Sequence, residues 1–428
     1  MHKIKIAVIG GGISGLSAAW LLKDRYHVEL FEANNYLGGH SNTVDISVNR
    51  CTFPVDTGFL VFNKKTYPNL VELFKNLAVD VTKSDMSFSY SNLQEGIEWA
   101  GMSLNALFGH RKNLVSPRFW IMLKDIIRFR GARKYLSVSP DNTRYTVGDF
   151  LDEHKYSREF KDWYLLPMAG AIWSCSSKHI LAYPFHSFLN FFENHGLLNL
   201  IKRPQWYSVS KGSREYVKKL TNEIPHIHLS RKITKIDRQT KYIDIQDSSG
   251  RSHQFSHLIM ASHADESLAA LTDASDLEKE VLGNINFSSN RAVLHTDESF
   301  LPSKSKIHAA WNFSVNEKRF KADTSSVSYL LNLLQPLPTD VKIILTLNPL
   351  KKVREEYLIK QLSYTHPILE KNAIESLSRL PSIQGLNNTW YCGAWTGNGF
   401  HEHGLVSAIR VAKVFGVVPP WERGAKKN

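Results

Sequence analysis

Long uninterrupted apolar runs are missing from this 428-residue chain: each is broken by glycine, by charge, or by proline as at Pro336 and Pro338. No segment therefore reads as a membrane-spanning helix. Cysteine is scarce. Cys51, Cys175 and Cys392 stand far apart without CxxC spacing, which argues against a disulfide framework and a zinc site and fits a reducing compartment. No metal is expected. Acidic residues are in deficit, 40 against 53 lysines and arginines, for a net charge of +13. Such an excess favours an anionic partner, and since no basic, aromatic-interleaved module for nucleic acid is visible, a membrane surface ranks above nucleic acid, with cofactor phosphates as the plainer alternative. Internal repeats, low-complexity tracts and a signal peptide are also lacking. The expected location is the cytoplasm, with peripheral attachment to the inner membrane as an extension of it.

What is present is a globular composition, 43% hydrophobic and 22% charged, and enough chain for two domains. The stretch from Ile4 to Leu22 organises the rest. Residues 4–9 are nearly all apolar and rich in Ile and Val, the pattern of a strand buried on both faces. A helix follows directly. Between them lies Gly10-x-Gly12-x-x-Gly15, whose glycines allow a tight turn, backbone approach to a pyrophosphate and close packing of helix on strand. Ile13 and Ser14 open the helix, whose free N–H groups and positive end suit phosphate. The next strand, His27 to Glu32, ends in an acid placed to accept from ribose hydroxyls and to repel a 2′-phosphate. Ala33 follows it.

The run from Glu32 through Gly38-Gly39-His40 resembles the glycine-doublet motif of the flavin-containing amine oxidase and protoporphyrinogen oxidase superfamily. That resemblance implies FAD rather than NAD. Relatives carry arginine where this chain has Tyr36 and His40, so those two cationic phosphate contacts are not expected, and the backbone N–H groups of Gly38 and Gly39 remain as donors. The Asp56-x-Gly58 segment resembles the superfamily's stretch passing the flavin, and is equally readable as a β-turn closed by an aspartate. Further along, Ser210-Lys211-Gly212 resembles a turn that begins with glycine in relatives. Ile233 falls in the strand that contacts adenine there. No lysine occupies Asn290–Thr296, where many amine oxidases hold a water at the flavin.

The other strong signal is C-terminal. An apolar strand ends at Gly393, a glycine-rich loop carries Trp395 and Phe400, and a helix is expected near Gly404 and Leu405. A helix N-terminus there would stabilise negative charge on a reduced flavin. Relatives place an acid where this chain has Ala394. His401, Glu402 and His403 are the candidates for proton handling.

Between these motifs, residues 111–134 hold eight lysines and arginines against the single acid Asp125, with Phe119, Trp120, Leu123, Ile126, Ile127 and Phe129 at helical spacing. Both a helix lying on anionic lipid and a core-facing helix with a solvated basic face satisfy that pattern. Residues 185–198 are the most aromatic stretch, readable as core or as the lining of a long apolar pocket. His186 and His195 read as structural histidines. The Tyr164–Ser174 block, Phe192–Leu198 and Tyr391–Glu402 resemble bacterial flavoproteins similar to the amino-terminal flavin domain of plant cyclopropane fatty acid synthases. Relatives are associated with lipid methyltransferases, which implies an acyl-chain substrate and a methyltransferase partner.

The reading as a whole is an α/β protein: a Rossmann-type FAD-binding domain, glutathione-reductase-like, made of residues 1–85, 205–265 and 385–418, a mixed α/β substrate domain of 86–204 and 266–384, and a basic tail, 419–428. The expected activity is FAD-dependent oxidation or desaturation of a lipid acyl-type substrate. The alternatives are an amine oxidase and a non-catalytic flavin-bearing lipid-binding partner of a methyltransferase.

Overall fold

A computed structural model describes residues 3–137, 145–173, 176–199, 203–317 and 325–423. Ser174, Cys175 and residues 424–428 of the expected tail lie outside these. The opening strand forms over Lys5–Ile9 and the next over His27–Phe31. They pair in parallel, Ile6 beside Val28, and the sheet continues through His257–Met260 to Thr389–Tyr391 on one side and ends at His226–His228 on the other. All five strands run parallel, so both faces must be covered. Leu16, Leu22, Leu405 and Ala412 pack on one face, and Phe255, Leu271, Val281 and Ile285 on the other. The first helix, Ile13–Leu22, is buried at every position, which its Ile-Ser-Gly-Leu-Ser-Ala-Ala-Trp-Leu-Leu sequence permits because no charge interrupts it.

A seven-stranded mixed sheet takes its strands from Phe88–Asn92, Ile97–Ala100 and five segments between Phe287 and Pro367. Strands expected near 291–295, 307–313, 327–332 and 342–347 form at Phe287–His295, Trp311–Val315, Ser325–Leu330 and Ile344–Leu347. The long edge strand Leu358–Pro367 was not expected. Only Tyr364 along it is fully buried, so it lacks the alternation that marks a half-buried strand. The largest apolar cluster joins this sheet to the helices of residues 117–194.

The basic segment divides into 3-10 turns flanking an α-helix over Pro117–Phe129. Phe119, Met122 and Phe129 point into the core. Three of its cations serve the fold: Arg118 pairs with Glu159, Arg128 with Asp125 and Arg133 with Glu193. No helix among the described residues is long and apolar enough to cross a membrane.

Candidate active site

The turn after the first strand shows why glycine stands where it does. Gly10 adopts φ +109° with its backbone against Ala261, and a Cβ on Gly15 would collide with the Gly10 carbonyl. Gly12 differs. Its φ is −78° and a Cβ there would meet nothing within 4 Å. Neither backbone nor packing calls for glycine at position 12, and the space above it is open. No side chain caps the helix that begins at Ile13, so its first N–H groups stay open to a ligand. Glu32 is buried, accepts the Gly11 N–H at 2.7 Å on one oxygen, and holds Asn34 on the other. The glycine doublet closes the turn from the far side, with Gly38 N–H donating to Gly11 O at 2.8 Å.

One cavity of about 770 Å³ runs from this cradle to the seven-stranded sheet. Gly10, Gly12, Ile13, Ser14, Glu32, Ala33, Gly38, Gly39, His40, Gly58, Ile233, Gly393, Trp395 and His401 all line it. Opening turn and C-terminal loop thus face the same space. Gly404 sits where a Cβ would press on Ile13 and Ser14, at 2.8 and 2.9 Å, so the last helix, His401–Val414, begins against the start of the first. Gly15, Gly404 and Leu405 act through this packing and do not line the cavity. Asp56 does not either. Its carboxylate takes the Ser213 N–H, the Ser213 hydroxyl and the Thr43 hydroxyl at 2.6–2.9 Å, and burial pushes its pKa up to about 6 despite those donors.

The three proton-handling candidates separate. Only His401 reaches the cavity. It stacks on Phe59 with centroids 3.8 Å apart and shares hydrogen bonds with Ser41 and Tyr216; burial drives its pKa down to about 3. It is a neutral imidazole at any ordinary pH. Glu402 turns away: its oxygens accept the N–H groups of Asn69 and Leu70 and the Asn69 amide, at 2.8–3.0 Å. It caps the helix Pro68–Asn76, with no contact to the main cavity. His403 lines a smaller polar pocket beside it, with Nδ1 buried and unpartnered.

His366, Tyr364, His263, Arg231 and Lys232 also line the cavity and were not foreseen. Arg231 and Lys232 bring positive charge to the Glu32 end of the cavity, where Tyr36 and His40 cannot. His40 is held neutral by burial first and then by His366, His401 and His263 around it, and its Nε2 has no partner. Arg231 and Lys232 are the residues a sequence reading could have caught, since they stand two and one positions before the Ile233 strand. His195, expected to be structural, donates from Nδ1 to the Phe191 carbonyl at 2.9 Å and also lines both pockets. Phe191, His195 and Phe400 form one stacked wall between them. Beyond it the chamber is apolar, with Met86, Ile172, Leu197, Trp311, Tyr329, Leu345 and Leu347.

Residues 8–77 match the family of NAD(P)-binding Rossmann-like domains. The match covers the cradle and leaves the seven-stranded sheet outside it. No match was found among curated proteins. Solved structures share the fold over nearly the whole length. A CLA-producing fatty acid isomerase from P. acnes is 15% identical with a TM-score of 0.68, covering 96% of this chain and 99% of that one. Cyclohexylamine oxidase from Brevibacterium oxydans IH-35A is 16% identical with a TM-score of 0.64, covering 97% and 100%. A protein assigned as a protoporphyrinogen oxidase from Exiguobacterium sp. 255-15 is 14% identical with a TM-score of 0.67, covering 97% and 99%. Residues 8–77 are thus similar to a Rossmann-like domain, and the chain shares the α/β fold of these solved structures.

Proposed function

We propose that this chain is an FAD-dependent oxidoreductase that removes a hydride from a carbon of a long apolar, acyl-type substrate. Four features of the cradle fit FAD: the open space over Gly12, the uncapped helix at Ile13, the carboxylate of Glu32 at the ribose position, and the unpartnered buried Nε2 of His40. Bound there, FAD would supply the hydride acceptor. The chain's own groups hold and insulate. Glu32 and the helix N-terminus would take the adenosine ribose and pyrophosphate, with Arg231 and Lys232 neutralising charge. The N-terminus of the helix His401–Val414 opens at the cavity and favours negative charge developing beside it. His401, kept neutral, offers a hydrogen bond and no ionisable proton.

The observation that carries the substrate class is the chamber itself. The acids lining the cavity are Glu32 and Glu266, of the ribose site and of the helix following the strand His257–Met260; none belongs to the group Met86, Ile172, Leu197, Trp311, Tyr329, Leu345 and Leu347. An apolar chain gains by leaving water for such walls, whereas an ammonium group would find no carboxylate among them. The fold shared with a fatty acid isomerase supports this reading, and the fold shared with cyclohexylamine oxidase supplies its rival. Anaerobic titration of FAD-loaded protein separates them. Bleaching of the flavin by membrane lipid extract or free fatty acid, and not by an amine panel, is the expected result; bleaching by amines alone, or failure to take up FAD, overturns it.

A further inference from the structure

The helix Pro117–Phe129 has two apolar faces, and only one is needed for the core. Phe119, Met122 and Phe129 occupy the inner face. On the outer face Trp120, Ile121 and Ile127 are 50%, 44% and 60% exposed, at helical spacing with Lys124 between them. Met102, Leu104, Leu114 and Val115 extend this exposure, Val115 to 83%. Seven of the sixteen exposed large apolar residues among those described therefore fall between positions 102 and 127. They form one surface. Trp120 Nε1 donates to the Leu114 carbonyl at 2.9 Å, its ring lies 5.6 Å from Phe108, and Arg111 reaches back to Asn105 in the helix Leu104–Leu107.

Charge at this surface is of one sign. Arg111, Lys112, Lys124, Lys304 and Lys306 have no carboxylate partner among the described residues. Lys304 joins the group through the Gly109 carbonyl, and the Lys306 ammonium is depressed by desolvation first and then by Arg111 and Lys304 beside it. The acids of the region are withdrawn: Asp125 is 4% exposed and binds the Ser157 N–H, and Glu98 is 2% exposed and binds Ser91 and Ser303. Cations crowded without counter-ions beside exposed Trp, Ile, Leu and Val disfavour a free aqueous face on both counts. An anionic bilayer answers both, taking the aromatic and aliphatic side chains at the headgroup boundary and the cations at its phosphates.

We infer that the face formed by residues 102–127 with Lys304 and Lys306 docks the protein on anionic phospholipid bilayers. This stands apart from the flavin reading, because it needs neither the cofactor nor turnover.

The test is flotation of the full-length, FAD-loaded protein with neutral phosphatidylcholine vesicles and with vesicles containing phosphatidylglycerol. Binding to the anionic vesicles alone, weakened by salt, is expected. Ile127→Ser with Trp120→Ser, and separately Lys112→Glu with Lys124→Glu, should each lower the partition coefficient roughly tenfold or more, and the charge-reversal pair should leave the melting temperature and the flavin spectrum unchanged. Trp120→Ser gives up the Leu114 hydrogen bond and the Phe108 contact, so should the serine variant fail to fold, the charge-reversal pair, which removes neither contact, carries the test. Absence of binding to either vesicle, equal binding to both, or a dimer in sedimentation velocity that the serine variant abolishes would each overturn the inference, the last by assigning the face to a second copy of this chain.

Discussion

Glu402 accepts the backbone N–H of Leu70 at 2.9 Å across 332 positions of sequence. Its other oxygen takes the Asn69 N–H and side-chain amide, so a residue of the C-terminal motif caps a helix laid down near the beginning of the chain. Removing it leaves buried donors unmet at that helix end. Glu402→Ala should destabilise the protein by about 2–3 kcal/mol, read as a lower urea midpoint, with the rate of flavin reduction per folded molecule unchanged. An unchanged midpoint with slower reduction would restore a catalytic role to this carboxylate.

Gly12 and Gly15 offer a paired test of the cradle. Gly12→Ala adds a methyl that touches no protein atom, so the FAD-free protein should lose at most about 1 kcal/mol, the difference between Gly and Ala at a helix cap. FAD affinity should fall about tenfold or more, because the methyl enters the space a pyrophosphate would need. Gly15→Ala should behave in the opposite way and unfold the apoprotein, since its Cβ overlaps the Gly10 carbonyl. Isothermal titration with FAD and thermal melts of both variants check the pair. Equal FAD affinity in wild type and Gly12→Ala would remove the cradle from cofactor binding.

Burial holds several histidines neutral, with consequences for pH. His401 is pulled down to about 3, and His195, His295, His366 and His403 to about 4. In the unfolded chain each titrates near 6.5. Above that value neither state binds protons and stability is flat. As pH falls from about 6.5 toward 4 the unfolded state protonates first, and stability is lost through that window. Asp56, pushed up to about 6, works the other way between its unfolded value near 3.9 and 6, and offsets one histidine's share. The melting temperature should therefore hold from pH 8 to 7 and decline steadily to pH 5. His295, bonded to Thr346 and remote from the cavity lining, is the residue to remove: His295→Asn should lower overall stability and make the slope shallower by about one proton. A melting temperature constant from pH 7 to 5 would contradict neutral burial of these rings.

How much of this was legible in the sequence follows from where each contact is made. The opening strand, turn and helix declare themselves because their causes are local: an apolar run, glycines at fixed offsets, an acid at the end of the next strand. Gly393, Trp395 and His401 were legible for the same reason. The contacts of Glu402 with Asn69 and Leu70 were not legible because these partners lie in another segment, and nothing in His401-Glu402-His403 distinguishes a helix cap from a catalytic acid. His366 and Tyr364 escaped notice because they sit on an edge strand without alternating polarity. The buried bidentate pair of Arg238 with Glu278, 2.5 and 2.9 Å, is likewise invisible until the strand Ile233–Arg238 and the helix Asp276–Gly283 are packed together. The basic segment was half legible. Its charge and periodicity were plain, but which cations pair inward depends on Glu159 and Glu193, supplied by other helices.

Lys211 stands where the resemblance led us to expect glycine, and the backbone shows what that substitution entails. Its φ is +64°, followed by Gly212 at +90°, and the turn closes with the Gly212 N–H on the Val209 carbonyl at 3.1 Å. A side chain with a Cβ in the left-handed region costs about 1–2 kcal/mol, against the roughly 0.5–1 kcal/mol of extra chain entropy that glycine loses on folding. The lysine is exposed and is absent from the cavity lining. Lys211→Gly should thus raise stability by about 0.5–1 kcal/mol, visible as a higher urea midpoint with an unchanged slope. The adjoining Ser213 N–H, which holds Asp56 at 2.9 Å, keeps its position because the turn type does not change. A lower midpoint would mean that the lysine contributes an interaction strong enough to outweigh its own backbone strain.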